Sequence, residues 1–419
     1  PVCDLYVVFA REVKFCNNCT YNNQKPNSEV EFKHKINTKK PIINLDKNNI
    51  CDACKLNQEK NKIDWKDREN QLIDLCNKFR KNDGTYDCVV PGSGGKDSFF
   101  AAHILKYKYK MNPLTVTFAP HIYTDWGWKN FQSWIAEGFD NYLLSPSKVT
   151  HRLLTRLALE NLFHPFQPFM IGQMLFPPKL ALKLNIPLIF YGENPEDYGN
   201  KKNKTDTPSK NSKFFSTNED DDFYISGLNK KELYDYGISD NELIPYKPIT
   251  NKEKSQSNID VQYLGYYLKW HPQENYYYTI ENSNFIPSPE RSPGTYSKYS
   301  SIDDKLDDLH YFTTYIKFGM GRTTYDAAQE IRNGEINREE GIKLVKQFDG
   351  EYPARFEKEL FDYLSIDEKM FPKAFSKFKH PKMNRDYFFE LAEKFRSPHL
   401  WYYSEEENKW KLRKTIFDK

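Results

Sequence analysis

This sequence has little of three things: long apolar runs, net charge, and cysteine beyond its first quarter. No stretch of its 419 residues approaches the roughly 20 apolar residues that cross a bilayer as a helix. The start, PVCDLYVVFAREVKF, is too short and too mixed for a secretory leader, so a cytoplasmic protein with reduced thiols is expected. Lys and Arg number 61 against 58 Asp and Glu, a net charge of +3, and no basic run stands out. Composition therefore gives no electrostatic case for nucleic acid. No internal repeat is visible, and no cysteine follows Cys88.

What is present is a large aromatic complement, 29 Tyr, 30 Phe and 7 Trp, enough to supply much of a buried core despite the low mean hydropathy. The length suits two domains, or one large α/β domain with additions at both ends. Four of the seven cysteines form two CxxC pairs, Cys16 with Cys19 and Cys51 with Cys54. Two such knuckles offer four soft thiolates at a spacing that tetrahedral zinc accepts. The polar stretch between them lacks the apolar mass to fold alone, so a metal would organise it. Structural zinc is the favoured reading, beside Fe–S ligation or metal-free thiols. Cys88 in an apolar strand and Cys76 on a helix read as buried packing thiols.

From Tyr86 the pattern alternates strand and helix. Expected strands are Tyr86–Val90, Leu114–Phe118, Asn141–Leu144 and Pro187–Tyr191, with helices at Phe99–Tyr107, Trp126–Ala136, Thr150–Glu160 and Gln173–Lys183. Short strands alternating with helices imply a parallel sheet covered on both faces. Three segments are expected: 1–80 as a zinc-binding module holding the two cysteine pairs, 81–230 as the α/β domain, and 231–419 as a mainly helical region for substrate or partner. Asn200–Asp222, dense in Lys, Asn, Ser and Asp, reads as a mobile loop. Asn337-x-x-Glu340 and Ser365-x-x-Glu368 read as helix starts of the capping-box kind.

The segment Tyr86–Ser98, YDCVVPGSGGKDS, carries the most chemistry. An apolar strand runs into Ser93-Gly94-Gly95-Lys96-Asp97-Ser98, and a helix follows. Glycines at such a turn admit a ligand close to the backbone, and the helix start offers unpaired N–H groups to phosphate oxygens. Ser93 and Ser98 add hydroxyls and Lys96 a cation. Asp97 is repulsive toward phosphate unless Mg²⁺ bridges them. The spacing does not match the Walker A pattern. The bland reading is a Gly-Ser turn. Ligands on open parallel sheets sit at the strands' carboxyl ends, which puts Ser93–Ser98, Thr117–Pro120 and Gly192–Asn194 on one rim. There Glu193 faces a ligand or merely ends a strand. Lys269, His271, Lys317 and Arg322 gather later as candidates for substrate or pyrophosphate, or as ordinary solvated and core residues.

The loop resembles the SGGxDS loop of PP-loop ATP pyrophosphatases, which split ATP between the α and β phosphates to adenylate a substrate. Two cysteine knuckles, YDCVVPGSGGKDS, GENPEDYG, KWHPQENYYY and FGMGRTTYDAAQEIRNGEINREEGIKLVKQFDGEY arrive in that order. Together, over nearly the whole chain, they resemble the N-acetyl sugar amidotransferases of bacterial lipopolysaccharide and nonulosonic acid pathways. The resemblance implies an α/β fold of the adenine nucleotide alpha hydrolase-like (HUP) kind with an N-terminal zinc module and a helical C-terminal region. It implies ATP bound by Pro91, Gly92, Ser93, Gly94, Gly95, Lys96, Asp97 and Ser98, by the Thr117 and Phe118 backbone near adenine, and by Gly192 and Glu193. Asp97 would hold Mg²⁺, with Lys96 and Ser98 beside it in catalysis. The implied reaction turns a sugar's acetamido group into an acetamidino group with ATP and ammonia, the ammonia coming from a separate glutaminase of the histidine-biosynthesis type. The alternatives are a tRNA thiolase of the same superfamily, against which the absence of cysteine after Cys88 argues, and a non-catalytic zinc- and nucleotide-binding scaffold.

Overall fold

The computed structural model describes residues 10, 12–199, 207–218 and 223–418. At its centre is a five-stranded, all-parallel sheet: β1 (Cys88–Pro91), β2 (Pro113–Phe118), β3 (Asn141–Leu144), β4 (Leu188–Tyr191) and β5 (Asp260–Tyr263). Their order across the sheet is β3-β2-β1-β4-β5. The chain therefore winds outward from β1 in one direction, then returns to add β4 and β5 on the other side. The switch point lies between β1 and β4, where ligands bind on such sheets.

Alternation along the central strands divides two cores. Val89 and Ile189 point to the face covered by helices Lys148–Leu162 and Gln167–Lys183, packing with Leu114, Val116, Leu154 and Leu157. Cys88, Val90, Leu188 and Phe190 point to the other face, onto helices Trp65–Phe79 and Lys96–His103. Burial on both faces is the demand a parallel sheet makes, and it explains the apolar runs of β1, β2 and β4. Cys88 and Cys76 are both packing thiols in this second core, fully buried; burial pushes Cys76 up to about 12. A third core joins Leu159 and Leu162 to the C-terminal helices through Leu309, Ile316, Leu360, Phe388 and Leu391.

Three elements differ from the sequence expectation. β5 lies in a stretch read as helical; its four residues pair with β4 from Leu188↔Asp260 to Tyr191↔Tyr263. Ser365 does not start a helix. It ends helix Glu357–Leu364, its hydroxyl donating to the Phe361 carbonyl at 2.7 Å and accepting from Met383 N–H at 2.9 Å. The Asn337–Glu340 box does form and opens helix Arg338–Phe348. Of the expected loop Asn200–Asp222, residues 200–206 and 219–222 lie outside the described residues, as does Cys3. Residues 207–218 are tied down at two points: Lys210 N–H donates to Val261 O on the edge strand at 2.7 Å, and Ser216–Thr217 pairs with Ile249–Thr250 in a separate two-stranded sheet.

Candidate active site

β1 delivers the chain into the Ser93–Ser98 turn, and Gly95 caps helix Lys96–His103. Gly94 has φ +87°, and a Cβ there would lie 2.8 Å from Asn130 O. At Gly92 a Cβ would sit 2.1 Å from the Ser98 Cβ. The turn thus closes tightly against its own helix and against helix Asp125–Ala136. Lys96 is buried and its ammonium contacts the Asp97 carboxylate. The other Asp97 oxygen accepts from Asn275 Nδ2 at 3.1 Å, and Thr279 Oγ1 donates to Lys96 O at 3.0 Å. Both come from helix Pro272–Asn282, which clamps the loop from the far side. Ser98 Oγ donates back to Gly95 O at 2.9 Å.

This turn opens into a cavity of about 770 Å³. Every residue from Pro91 to Ser98 except Gly94 lines it, as do Gly192, Glu193 and Lys317. Thr117 and Phe118 do not. Thr117 Oγ1 accepts from Asn141 Nδ2 at 3.0 Å within the sheet, and the Phe118 ring fills the space over Gly172. Lys269 is exposed and away from the cavity. His271 caps helix Pro272–Asn282, Nδ1 accepting from Glu274 N–H at 3.3 Å, with Nε2 3.3 Å from Glu335. Arg322 is buried behind the wall, bound to the Ser300 carbonyl and lying 4.5 Å from the Tyr311 ring centroid.

The wall around the loop is acidic. Glu193 is pushed up to about 7 by burial, and then by the charge of Asp97. Burial also raises Asp303, which accepts a hydrogen bond from Ser93, and Asp326, which accepts from Thr295 Oγ1 at 2.6 Å. Asp97 and Glu193, which feel each other's charge, are the carboxylates at the loop itself, and they offer oxygen donors of the kind a hard divalent cation takes. Asp303, Asp326, Asn275 and Lys210 went unread in the sequence. The Asp303-Asp304 and Asp307-Asp308 pairs were the available signal, four carboxylates at helical spacing. Lys210 lies 4.0 Å from the Tyr191 ring centroid, and burial lowers it to about 8.

The four CxxC sulfurs converge. All lie within 4.8 Å of one another and are buried, with Cys16–Cys54 at 3.8 Å and Cys19–Cys51 at 3.7 Å. Tetrahedral zinc with bonds near 2.3 Å spaces its sulfurs by about 3.8 Å. The cluster could hold that ion. It is docked on the C-terminal helices: Thr20 Oγ1 donates to Thr324 O at 2.8 Å and Arg338 Nη2 to Cys16 O at 3.0 Å.

Residues 293–416 match the family model described as "LPS biosynthesis protein WbpG-like, C-terminal domain". The C-terminal region is thus similar to a domain of lipopolysaccharide biosynthesis proteins. The matched stretch includes the cavity wall from Tyr299 to Lys317 and both helices on which the cysteine cluster rests. An uncharacterized protein of Methanocaldococcus jannaschii, MJ1599, is 37% identical over 83 residues, 20% of this chain and 29% of that protein. Among the described residues, no helix is long and apolar enough to cross a membrane.

Proposed function

We propose that the chain is an ATP-dependent, AMP-forming amidotransferase that converts the acetamido group of a bacterial surface-glycan sugar to an acetamidino group. The observation that carries this reading is the loop at the sheet's switch point. A glycine turn and helix N-terminus, with Asp97 and Glu193 alongside, open into a cavity walled by the region similar to lipopolysaccharide biosynthesis proteins. An amide carbonyl is a poor electrophile with a poor leaving oxygen. Adenylating that oxygen gives an imidate, and AMP departs when ammonia forms the new C–N bond.

The chain's own part is to position and to neutralise. The Ser93–Ser98 backbone and the start of helix Lys96–His103 receive the phosphates. Lys96 and Lys210 offset charge on departing pyrophosphate. Asp97 and Glu193 would hold Mg²⁺, which when bound supplies the charge that lets carboxylates face a polyphosphate. The cysteine cluster would hold a structural zinc that fixes the N-terminal wall. Ammonia would come from a separate glutaminase subunit. Of the described cysteines, four belong to the cluster, while Cys76 and Cys88 are buried with thiols raised by desolvation, so none is set up as a glutaminase nucleophile. The test incubates the chain with ATP, Mg²⁺, ammonium and candidate acetamido sugars, and follows AMP and product mass. A product in which O has become NH is expected. No AMP with any such sugar would refute the reading.

A further inference from the structure

The cavity has a second end that the phosphate loop does not use. Glu31 belongs to the short helix Glu31–Lys33, His164 follows helix Lys148–Leu162, and His310 and Lys317 stand on helix Leu306–Phe318; all four line the cavity. Glu31 is 3% exposed. Its Oε1 accepts from Lys40 Nζ at 3.0 Å, but its Oε2 has no hydrogen bond. Around that oxygen stand His34 Nδ1 at 3.5 Å and His164 Nε2 at 4.0 Å. The His164 ring stacks on His310 at 5.1 Å, and His310 Nδ1 is likewise buried without a partner. Lys317 Nζ donates to Leu162 O at 2.7 Å.

A buried carboxylate oxygen left unpaired is costly, and it calls for a ligand that donates. We infer that this end of the cavity, Glu31 with His164, His310 and Lys317, is a site that binds ammonium and takes a proton from it. The inference rests on the amidotransferase reading. Ammonium offers four N–H donors to the Glu31 oxygen and the imidazole lone pairs. Burial suits the surrounding nitrogens to this. It drives His164 well below its usual range, lowers His34, and lowers His310 to about 3, with Lys317 and Lys40 adding to the effect on His310. Lys317 falls to about 7, from burial first and then from Lys40. Burial pushes Glu31 up, but the Lys40 ammonium leads the effects that outweigh it, and the carboxyl is held well below its usual range. Near neutral pH this end thus holds the Lys40–Glu31 pair and several neutral nitrogen bases.

The step balances simply. Ammonium gives one proton to the neutral Lys317 amine. The freed lone pair forms the C–N bond at the imidate carbon as the C–O bond breaks, its electron pair leaving on AMP. The product is the amidinium, and Lys317 returns its proton to water as product departs. A base titrating near the working pH is the efficient choice for such a transfer.

The test measures KM for ammonium near pH 7.5 in the wild-type chain and in Glu31→Gln, Lys317→Met, Lys317→Arg and His310→Gln. Hydroxylamine, neutral at that pH, serves as the nucleophile needing no deprotonation. In each folded variant the ammonium KM should rise at least about tenfold while ATP KM and the hydroxylamine reaction hold within about twofold. Lys317→Arg should fail like Lys317→Met, because guanidinium does not give up its proton. Unchanged ammonium KM in the folded variants would overturn the inference. So would a rise in sugar KM instead, which would assign this end to an acidic group on the sugar. If the wild-type chain forms AMP and the hydroxylamine product while ammonium dependence stays put, only this inference falls; if it forms no AMP at all, both fall.

Discussion

Gly95→Ala separates what the fold needs from what a ligand needs. Gly95 has φ −69° and ψ 164°, a conformation open to any residue, and a Cβ there would meet nothing nearer than Ser93 Oγ at 3.9 Å. The fold therefore does not require glycine at this position. A phosphate approaching the helix start does. Alanine is a poorer helix cap than glycine by roughly 0.5–1 kcal/mol. It also restricts the unfolded chain, which returns about 0.4–1 kcal/mol. The two offset, so the melting temperature should move by no more than about 2 °C. The added methyl projects into the cavity and holds the polyphosphate away, and a misplacement of about 1 Å can cost on the order of 100-fold in rate. The expected result is unchanged calorimetric melting with kcat/KM for ATP down roughly 100-fold, or about 2.7 kcal/mol. Gly92→Ala is the contrast: its Cβ would sit 2.1 Å from Ser98 Cβ, so melting itself should fall. If Gly95→Ala kept both its melting temperature and its ATP kinetics, the phosphate-loop assignment would be wrong.

Asp97→Asn leaves one amide oxygen to serve both Asn275 and the buried Lys96 ammonium, so melting should fall somewhat, while in the folded protein AMP formation drops by several kcal/mol of lost charge stabilisation; near-normal turnover would count against Asp97 as the metal-facing group. Metal analysis should find about one zinc per chain, and chelation or Cys51→Ala should lower the melting temperature; a metal-free chain indifferent to chelation would rule zinc out. Lys317 titrates near 7 in the fold against 10.5 ordinarily. Between those values the unfolded chain binds the extra proton, so this residue makes stability rise with pH from about 7 to about 10.5, by an order of a few kcal/mol. Lys317→Met should flatten the rise in urea midpoint over that window, and an equal slope in both proteins would contradict the burial argument.

Features whose cause is local could be read from the order of residues alone. A four-residue apolar strand, a glycine turn and a helix start needed only consecutive residues, and β1 and helix Lys96–His103 appear where that pattern put them. The CxxC spacing was equally legible, because each knuckle is closed by its own backbone. So was the Asn337–Glu340 box. The same local rule failed at Ser365, where a carbonyl one turn back and the distant Met383 N–H claimed the hydroxyl first. β5 was hidden because four residues of mixed polarity carry almost no period; their partner, β4, lies far back in the chain. Arg322, a cation by sequence, is buried behind the wall, Thr117 hydrogen-bonds within the sheet, and the Phe118 ring packs onto the helix over Gly172. Only the tertiary structure brought Glu31, His164, Asp303 and Lys317 around one cavity with the Ser93–Ser98 loop. Long-range packing decides which side chains share a space, and it is that shared, partly desolvated space that gives Glu193, Lys317 and His310 their chemistry.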